Sequence, residues 1–302
     1  MLSIDDFQKI TLDDKDVFKK IYETYPPLHS DNVFTTLVSW MNYGNYKYTL
    51  YEDNIILMSN IDGIARFRPP IGKKKKKVFE DVLKLALGKD AEYPFGMITK
   101  ENRDFLKENF PNLNFYSHRD FFEYIYQSSD LANLEGSDYR KIRNRLNKFH
   151  RRYEFAVEDI TDENMNEIKK FLKRWCLWKD CESDPVLSHE KDAIFYSIDH
   201  FFELNLKGII IRIDDTIEAM AIFEPMNPDT MLVHYEKASP NYYGIYKAIN
   251  QETAKIVKDD YKYINRESDM GIAGLRRAKL SYRPHDMIEV FHLSKDELSR
   301  LF

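Results

Sequence analysis

The residues of this chain best suited to chemistry gather near its end, in NRESDMGIAGLRRAKLSYRP, Asn265 to Pro284. Glu267 and Asp269 close a strand-like run, the place where α/β folds set ligand-contacting groups. A short helical run follows, and on its wheel Ile272, Leu275, Lys279 and Tyr282 share one arc. An ammonium among apolar positions either snorkels to water or reaches into a cleft. Arg276 lies beside that arc and Arg277 points away. Acids from a strand end and bases from a helix would thus converge on one pocket, a setting for a zwitterionic or phosphorylated substrate. The alternative is an internal salt-bridge network that ties helix to strand.

A second constellation lies on MLVHYEKA. Alternation puts His234 and Glu236 on one face of this strand and Tyr235 and Lys237 on the other. Charges on a central strand of an α/β sheet are costly unless they serve a cleft or a partner. Glu236 therefore reads as a general base or an anchor for a substrate ammonium, with frayed, solvated strand ends as the alternative. His234, Lys237 and the nearby Tyr243 join Glu267 and Asp269 as candidate substrate contacts. A third feature is GSDYRKIRNRLNKFHRRY, in which Arg140, Lys141, Arg143, Arg145, Lys148, Arg151 and Arg152 face one acid, Asp138. A helix of one sign, rich in arginine, suits phosphate or RNA contact, with a solvated face that aids solubility as the alternative, although such helices usually mix signs. The run Lys73 to Lys77 is read as a solvated surface.

These residues need elements to hold them, and the chain states the same order twice. FQKITL, two helical runs, three short strands (YKYTLYED, NIILMSNI, IARFRPP), a helix, FGMITK, a helix and LNFYSHRDFFEYIY make the first half. YEFAVEDI, two helices, GIIIRIDD, TIEAMAIFEPM, TMLVHYEKA, a helix, YKYINRES, a helix and MIEVFHL make the second. Both read β-α-α-β-β-β-α-β-α-β, which predicts two copies of one α/β unit with mixed sheets. The expected domains are 1–130 and 131–302, the basic linking helix 138–153 leading the second. Its seam is Tyr139, Ile142, Leu146, Phe149 and Tyr153.

Bulk numbers bound the function. The 302 residues, with 20 Tyr and 20 Phe, supply ample core for two domains. A net charge of −5 leaves attraction to a polyanion to local patches. Cys176 and Cys181 alone make no zinc site, and two thiols suit a reducing compartment. The start has no apolar signal region and no window is long and apolar enough to span a membrane, so a cytoplasmic location is expected. G-x-S-x-G, H-E-x-x-H and a P-loop are missing, which removes support for triad hydrolysis and zinc chemistry.

The order of elements resembles that of the N-acetyltransferase-like (GNAT) fold in tandem. HYEKASPNYYGIYKAINQETAK with YINRESDMGIAGLRRAKLSYRP resembles the signature of the phosphatidylglycerol lysyltransferase C-terminal domain-like family. FTTLVSW and DYRKIRNRLNKFHRRY resemble earlier segments of the same family, so the likeness spans most of the chain. The family is related to Fem-type peptidyltransferases, and its best-known members move an amino acid from aminoacyl-tRNA to a lipid head group. The resemblance implies that Arg276 and Lys279 contact donor or acceptor by binding phosphate or stabilising an oxyanion. In an aminoacyltransferase Glu236 would be base or ammonium anchor, and Glu267 or Asp269 would hold the α-ammonium. Arg140, Arg143, Arg145, Lys148, Arg151 and Arg152 would grip tRNA, with a phospholipid head group as a possible acceptor. SYRP stands where the lipid-modifying members have K-F-x-P, which bears on lipid specificity. Neither metal nor organic cofactor is implied. SPNYYGIYKAI, with its single Gly, gives a pyrophosphate little backbone access, so acetyl-CoA is disfavoured. Two alternatives are an acyl-CoA-dependent N-acyltransferase and a non-catalytic protein that binds nucleic acid or an acidic ligand.

Overall fold

The computed structural model describes residues 2–302. In chain order the elements are β1 (Gln8–Lys9), α1 (Lys15–Tyr22), α2 (Phe34–Ser39), α3 (Met41–Gly44), β2 (Lys47–Tyr51), β3 (Asn54–Ile61) and β4 (Ile64–Phe67). Next come α4 (Lys76–Leu87), β5 (Phe95–Thr99), α5 (Lys100–Asn109), β6 (Tyr116–Ser117), β7 (Glu123–Gln127), α6 (Ser128–Asn133) and α7 (Arg140–Arg152). The second half holds β8 (Ala156–Asp159), α8 (Met165–Lys179), α9 (Pro185–Asp199), β9 (Lys207–Ile213), β10 (Thr216–Asn227) and β11 (Thr230–Ala238). It ends with α10 (Ile245–Val257), β12 (Tyr263–Ser268), α11 (Ala273–Leu280), β13 (Asp286–Ile288), β14 (Val290–Leu293) and α12 (Lys295–Leu301).

Two mixed seven-stranded sheets result, in the orders β1-β2-β3-β4-β5-β14-β6 and β13-β7-β12-β11-β10-β9-β8. Each has a parallel step, β4 with β5 and β11 with β12. Tight hairpins arise where two successive residues accept left-handed φ: Glu52–Asp53, Asp62–Gly63 and Asp214–Asp215. Such pairs match the twist of the flanking strands.

The expected order of elements is present apart from a third short helix, α3, and a closing strand split into β6 and β7 in the first half, but the boundary is not at 130/131. The compact units are the chain up to Phe122 together with Ile288–Phe302, and Glu123–Met287. The cause is an exchange of closing strands: β7 lies between β13 and β12, and β14 lies between β5 and β6. The single last strand expected over MIEVFHL is also split, into β13 and β14.

In the second unit Ile142, Leu146 and Phe149 of α7 are buried with β9–β12 and α10. Gly244 precedes α10 at φ +101°, and a Cβ there would come within 2.9 Å of the Arg145 carbonyl oxygen. Only glycine allows α7 this close to the start of α10. The first unit has its own core, built on β3–β5, α4 and β14. Its lysine run is largely paired: Lys74 with Glu101 (2.5 Å), Lys75 with Glu52 (3.2 Å) and Lys77 with Asp81 (2.6 Å).

Candidate functional site

The chemistry of the second unit gathers where β11 and β12 part. Their parallel ladder ends at Leu232↔Asn265, and the pairing of β12 with β7 shifts register between Asn265 and Ser268. Arg266 and Glu267 occupy this irregularity, Glu267 at φ +56°. A bulge of this kind re-aims side chains and exposes carbonyls that a regular ladder would use.

Lys279 supplies what those carbonyls lack. Its Nζ donates to the backbone oxygens of Arg266 (2.6 Å), Glu267 (3.2 Å) and Ser268 (2.5 Å). An ammonium has three protons, so its donors are all in use. The side chain is buried, and burial pulls its pKa down to about 8 against the opposing pull of Glu267. The lysine expected in a cleft is therefore a plug that shapes the bulge. Tyr126 Oη in turn donates to the Lys279 carbonyl at 2.8 Å and fixes α11.

Arg276 is equally committed. Its Nε and Nη2 donate to Asp269 Oδ2 and Oδ1 at 2.9 and 2.7 Å, a bidentate pair. Tyr124 Oη and the Gly271 amide donate to the same carboxylate at 2.5 and 3.0 Å. Burial opposes the charge, but these donors hold the Asp269 pKa at about 2. Its folded pKa lies below the usual carboxylate value near 3.8, so the stability it confers is complete above pH 4. That stability is lost as pH falls through 2, by roughly 2 kcal/mol. Denaturant unfolding of wild type should weaken by that amount from pH 4 to pH 2, and Asp269→Asn should flatten the slope.

His234 sits between two acids, with Nε2 2.7 Å from Glu224 Oε1 and Nδ1 3.2 Å from Glu267 Oε1. Burial alone would lower its pKa, yet the hydrogen bonds to Glu224 and Glu267 lift it to about 9. The imidazolium thus holds Glu267 by one oxygen, and the Glu267 side chain remains 32% exposed. The expected sharing of one face by His234 and Glu236 does not hold. A bulge at His234 breaks the alternation, so that His234 bonds Glu224 while Glu236 lies opposite Ala221 and turns to α10. Both Glu236 oxygens are taken. Asn250 Nδ2 donates to Oε1 at 2.9 Å and Arg266 Nη2 donates to Oε2.

Lys237 points to the opposite side of β11, where it pairs with Glu190 (2.7 Å) over the Trp175 ring (4.3 Å). It does not join the cluster. Tyr243 is 46% exposed before α10, with Lys148 Nζ 5.9 Å from its ring. On α7, Arg140, Arg145, Lys148, Arg151 and Arg152 are exposed, as is Lys141. Arg143 is the exception, because its Nη1 donates to the carbonyls of Leu134 and Gly136 at the end of α6.

Sequence reasoning missed Arg266, Lys247, Asn250 and Glu224. For Arg266 a signal existed, since an arginine inside a strand of a covered sheet must find an acid.

The sequence profile of the family described as phosphatidylglycerol lysyltransferase, C-terminal, matches residues 22–293. The chain belongs to this family. Among solved structures, a conserved protein of unknown function from Bacteroides thetaiotaomicron is similar at 29% identity and TM-score 0.88. That match covers 95% of this chain and 99% of the other. The C-terminal domain of a putative lysylphosphatidylglycerol synthetase from Agrobacterium fabrum is similar at 14% identity and TM-score 0.67, over 96% and 94% of the two chains. A tandem GNAT protein from the clavulanic acid biosynthesis pathway is similar in fold at 8% identity and TM-score 0.51, over 96% and 98%. The fold of this phosphatidylglycerol lysyltransferase-family chain is thus a tandem GNAT-like one, and its family is one of transferases. Among the described residues, no helix is long and apolar enough to cross a membrane.

Proposed function

We propose that this protein transfers an amino acid from aminoacyl-tRNA to a hydroxyl or amine acceptor, with a phospholipid head group as the first acceptor to test. Family membership over residues 22–293 is the observation that carries this reading. The charged cluster at the parting of β11 and β12 supports it. An aminoacyl ester is already activated, so the protein's task is to align donor and acceptor and to meet the developing charge. Glu267 anchors the α-ammonium, since it is the carboxylate of the cluster that combines exposure with a single hydrogen-bonded oxygen. Asp269 is consumed by Arg276, and Glu236 by Asn250 and Arg266, so both act as positioning residues. Lys279 and Arg276 support the bulge that presents Glu267. The exposed bases of α7 hold the RNA backbone.

Acyl-CoA fits less well. The glycine before α10, where a pyrophosphate would need close backbone approach, is already used by the contact with Arg145. A protein that only binds RNA would need α7 but not the Glu267 arrangement.

The test is incubation with sets of labelled aminoacyl-tRNAs and vesicles containing phosphatidylglycerol, or total cell extract. Label should pass to an acceptor only when protein is present. Glu267→Gln should reduce kcat/KM by about 10- to 100-fold, the scale of one charge-assisted contact. No transfer from any set, together with no tRNA retention at low salt, would overturn the reading.

A further inference from the structure

Two cations of the second unit share one aromatic ring, and a third acts on both that ring and one of the cations. Lys247 Nζ lies 4.3 Å from the centre of the Tyr282 ring, and the Arg266 guanidinium lies 5.0 Å from the same centre. Two cations on one ring repel each other, and the ring's quadrupole offsets only part of that. Arg145, whose carbonyl abuts Gly244 at the start of α10, adds its charge to both Lys247 and Tyr282. The carboxylate acting on Lys247 is Glu236, and its two oxygens already serve Asn250 and Arg266. One donor is left over, since Arg266 Nη1 is buried without a hydrogen-bond partner. Lys247 is half-buried and has no ion pair among the described residues. Burial, with Arg266 and Arg145 adding to it, pushes the Lys247 pKa down to about 8. A fixed fork with one free donor, sharing a ring with a half-buried ammonium, is a receptor for an oxyanion.

We propose that Lys247, Arg266 and Arg145 form a phosphate subsite that takes a backbone phosphodiester from the unpaired 3′ end of the RNA. This rests on the aminoacyl-tRNA reading and gives the donor's reacting end a place beside Glu236 and the bulge. The choice of RNA follows from the approach to the subsite. Arg145 belongs to α7, whose exposed Arg140, Lys141, Lys148, Arg151 and Arg152 have no acidic partner among the described residues. Tyr243, beside Lys148, offers an exposed ring on which an unpaired base stacks.

The test uses the full chain and deacylated tRNA, intact or shortened by its unpaired 3′ nucleotides, with binding read by fluorescence anisotropy across a salt series. Lys247→Ala should weaken intact tRNA about tenfold, lower the salt slope by about one and leave the shortened tRNA unaffected. Lys247→Arg should bind intact tRNA within about threefold of wild type. In case the alanine variant misfolds, wild-type protein is labelled with an amine-reactive ester at pH 8 and mapped by peptide mass. Lys247 should be protected by intact tRNA and not by shortened tRNA. Equal loss on both RNAs, or no loss and no protection, would overturn the subsite. So would a variant that keeps tRNA binding but loses binding to phosphatidylglycerol vesicles, which would assign the phosphate to lipid. None of these readouts depends on transfer. A chain that binds the unpaired end but transfers nothing keeps the subsite and loses the transferase reading.

Discussion

Arg266→Met is expected to destabilise the second unit by roughly 3–5 kcal/mol, because it strands a buried carboxylate. Glu236 is 11% exposed and Arg266 14%, so neither charge has water to fall back on. The substitution leaves Glu236 with Asn250 as its remaining donor, facing Tyr126 and Tyr282. Adding Glu236→Gln should restore more than half of the loss, since a neutral amide carries a far smaller desolvation cost. Urea unfolding of wild type, both single variants and the double variant gives the coupling energy directly. A single-variant cost under about 1 kcal/mol would show that the pair does not hold this part of the fold.

Lys279→Met should cost about 3 kcal/mol and abolish transfer while sparing RNA binding. The three carbonyls of residues 266–268 would lose their donor, and unsatisfied buried acceptors cost about 1–3 kcal/mol each before relaxation. Relaxation would draw Glu267 back toward a regular strand and away from His234. Transfer is then expected to fall at least about 100-fold, while intact tRNA binds within about threefold of wild type through α7. Wild-type turnover in this variant would mean that the bulge is incidental to the reaction.

Much of this arrangement was legible in the chain, but its pairings were not. Heptad-like spacing of Ile142, Leu146 and Phe149 gave the buried seam of α7, whereas period-two alternation misplaced His234 relative to Glu236, because the bulge at His234 breaks the period. Lys279 stood out on its apolar arc as an ammonium that must snorkel to water or reach inward, and it is buried. Its partners escaped because they are main-chain oxygens, which every residue carries and no sequence pattern marks. Arg276 and Asp269 stood out as charges, yet nothing in their spacing says that they satisfy each other. Arg143 looked like its neighbours on α7, and only the left-handed end of α6 at Leu134 makes it structural. The exchange of β7 and β14 was invisible for a related reason: the repeat gives the order of strands, and apolar strands of similar length fit either sheet equally well.

That exchange binds the two halves of the sequence into a mutual obligation. Here a scission at mid-chain would leave each fragment with a seam open inside its sheet, since β7 and β14 are both interior strands. The mid-chain point is thus a poor place to divide the protein for expression or for grafting. The last fifteen residues, though they follow every residue of the candidate site, complete a body that begins at the other terminus.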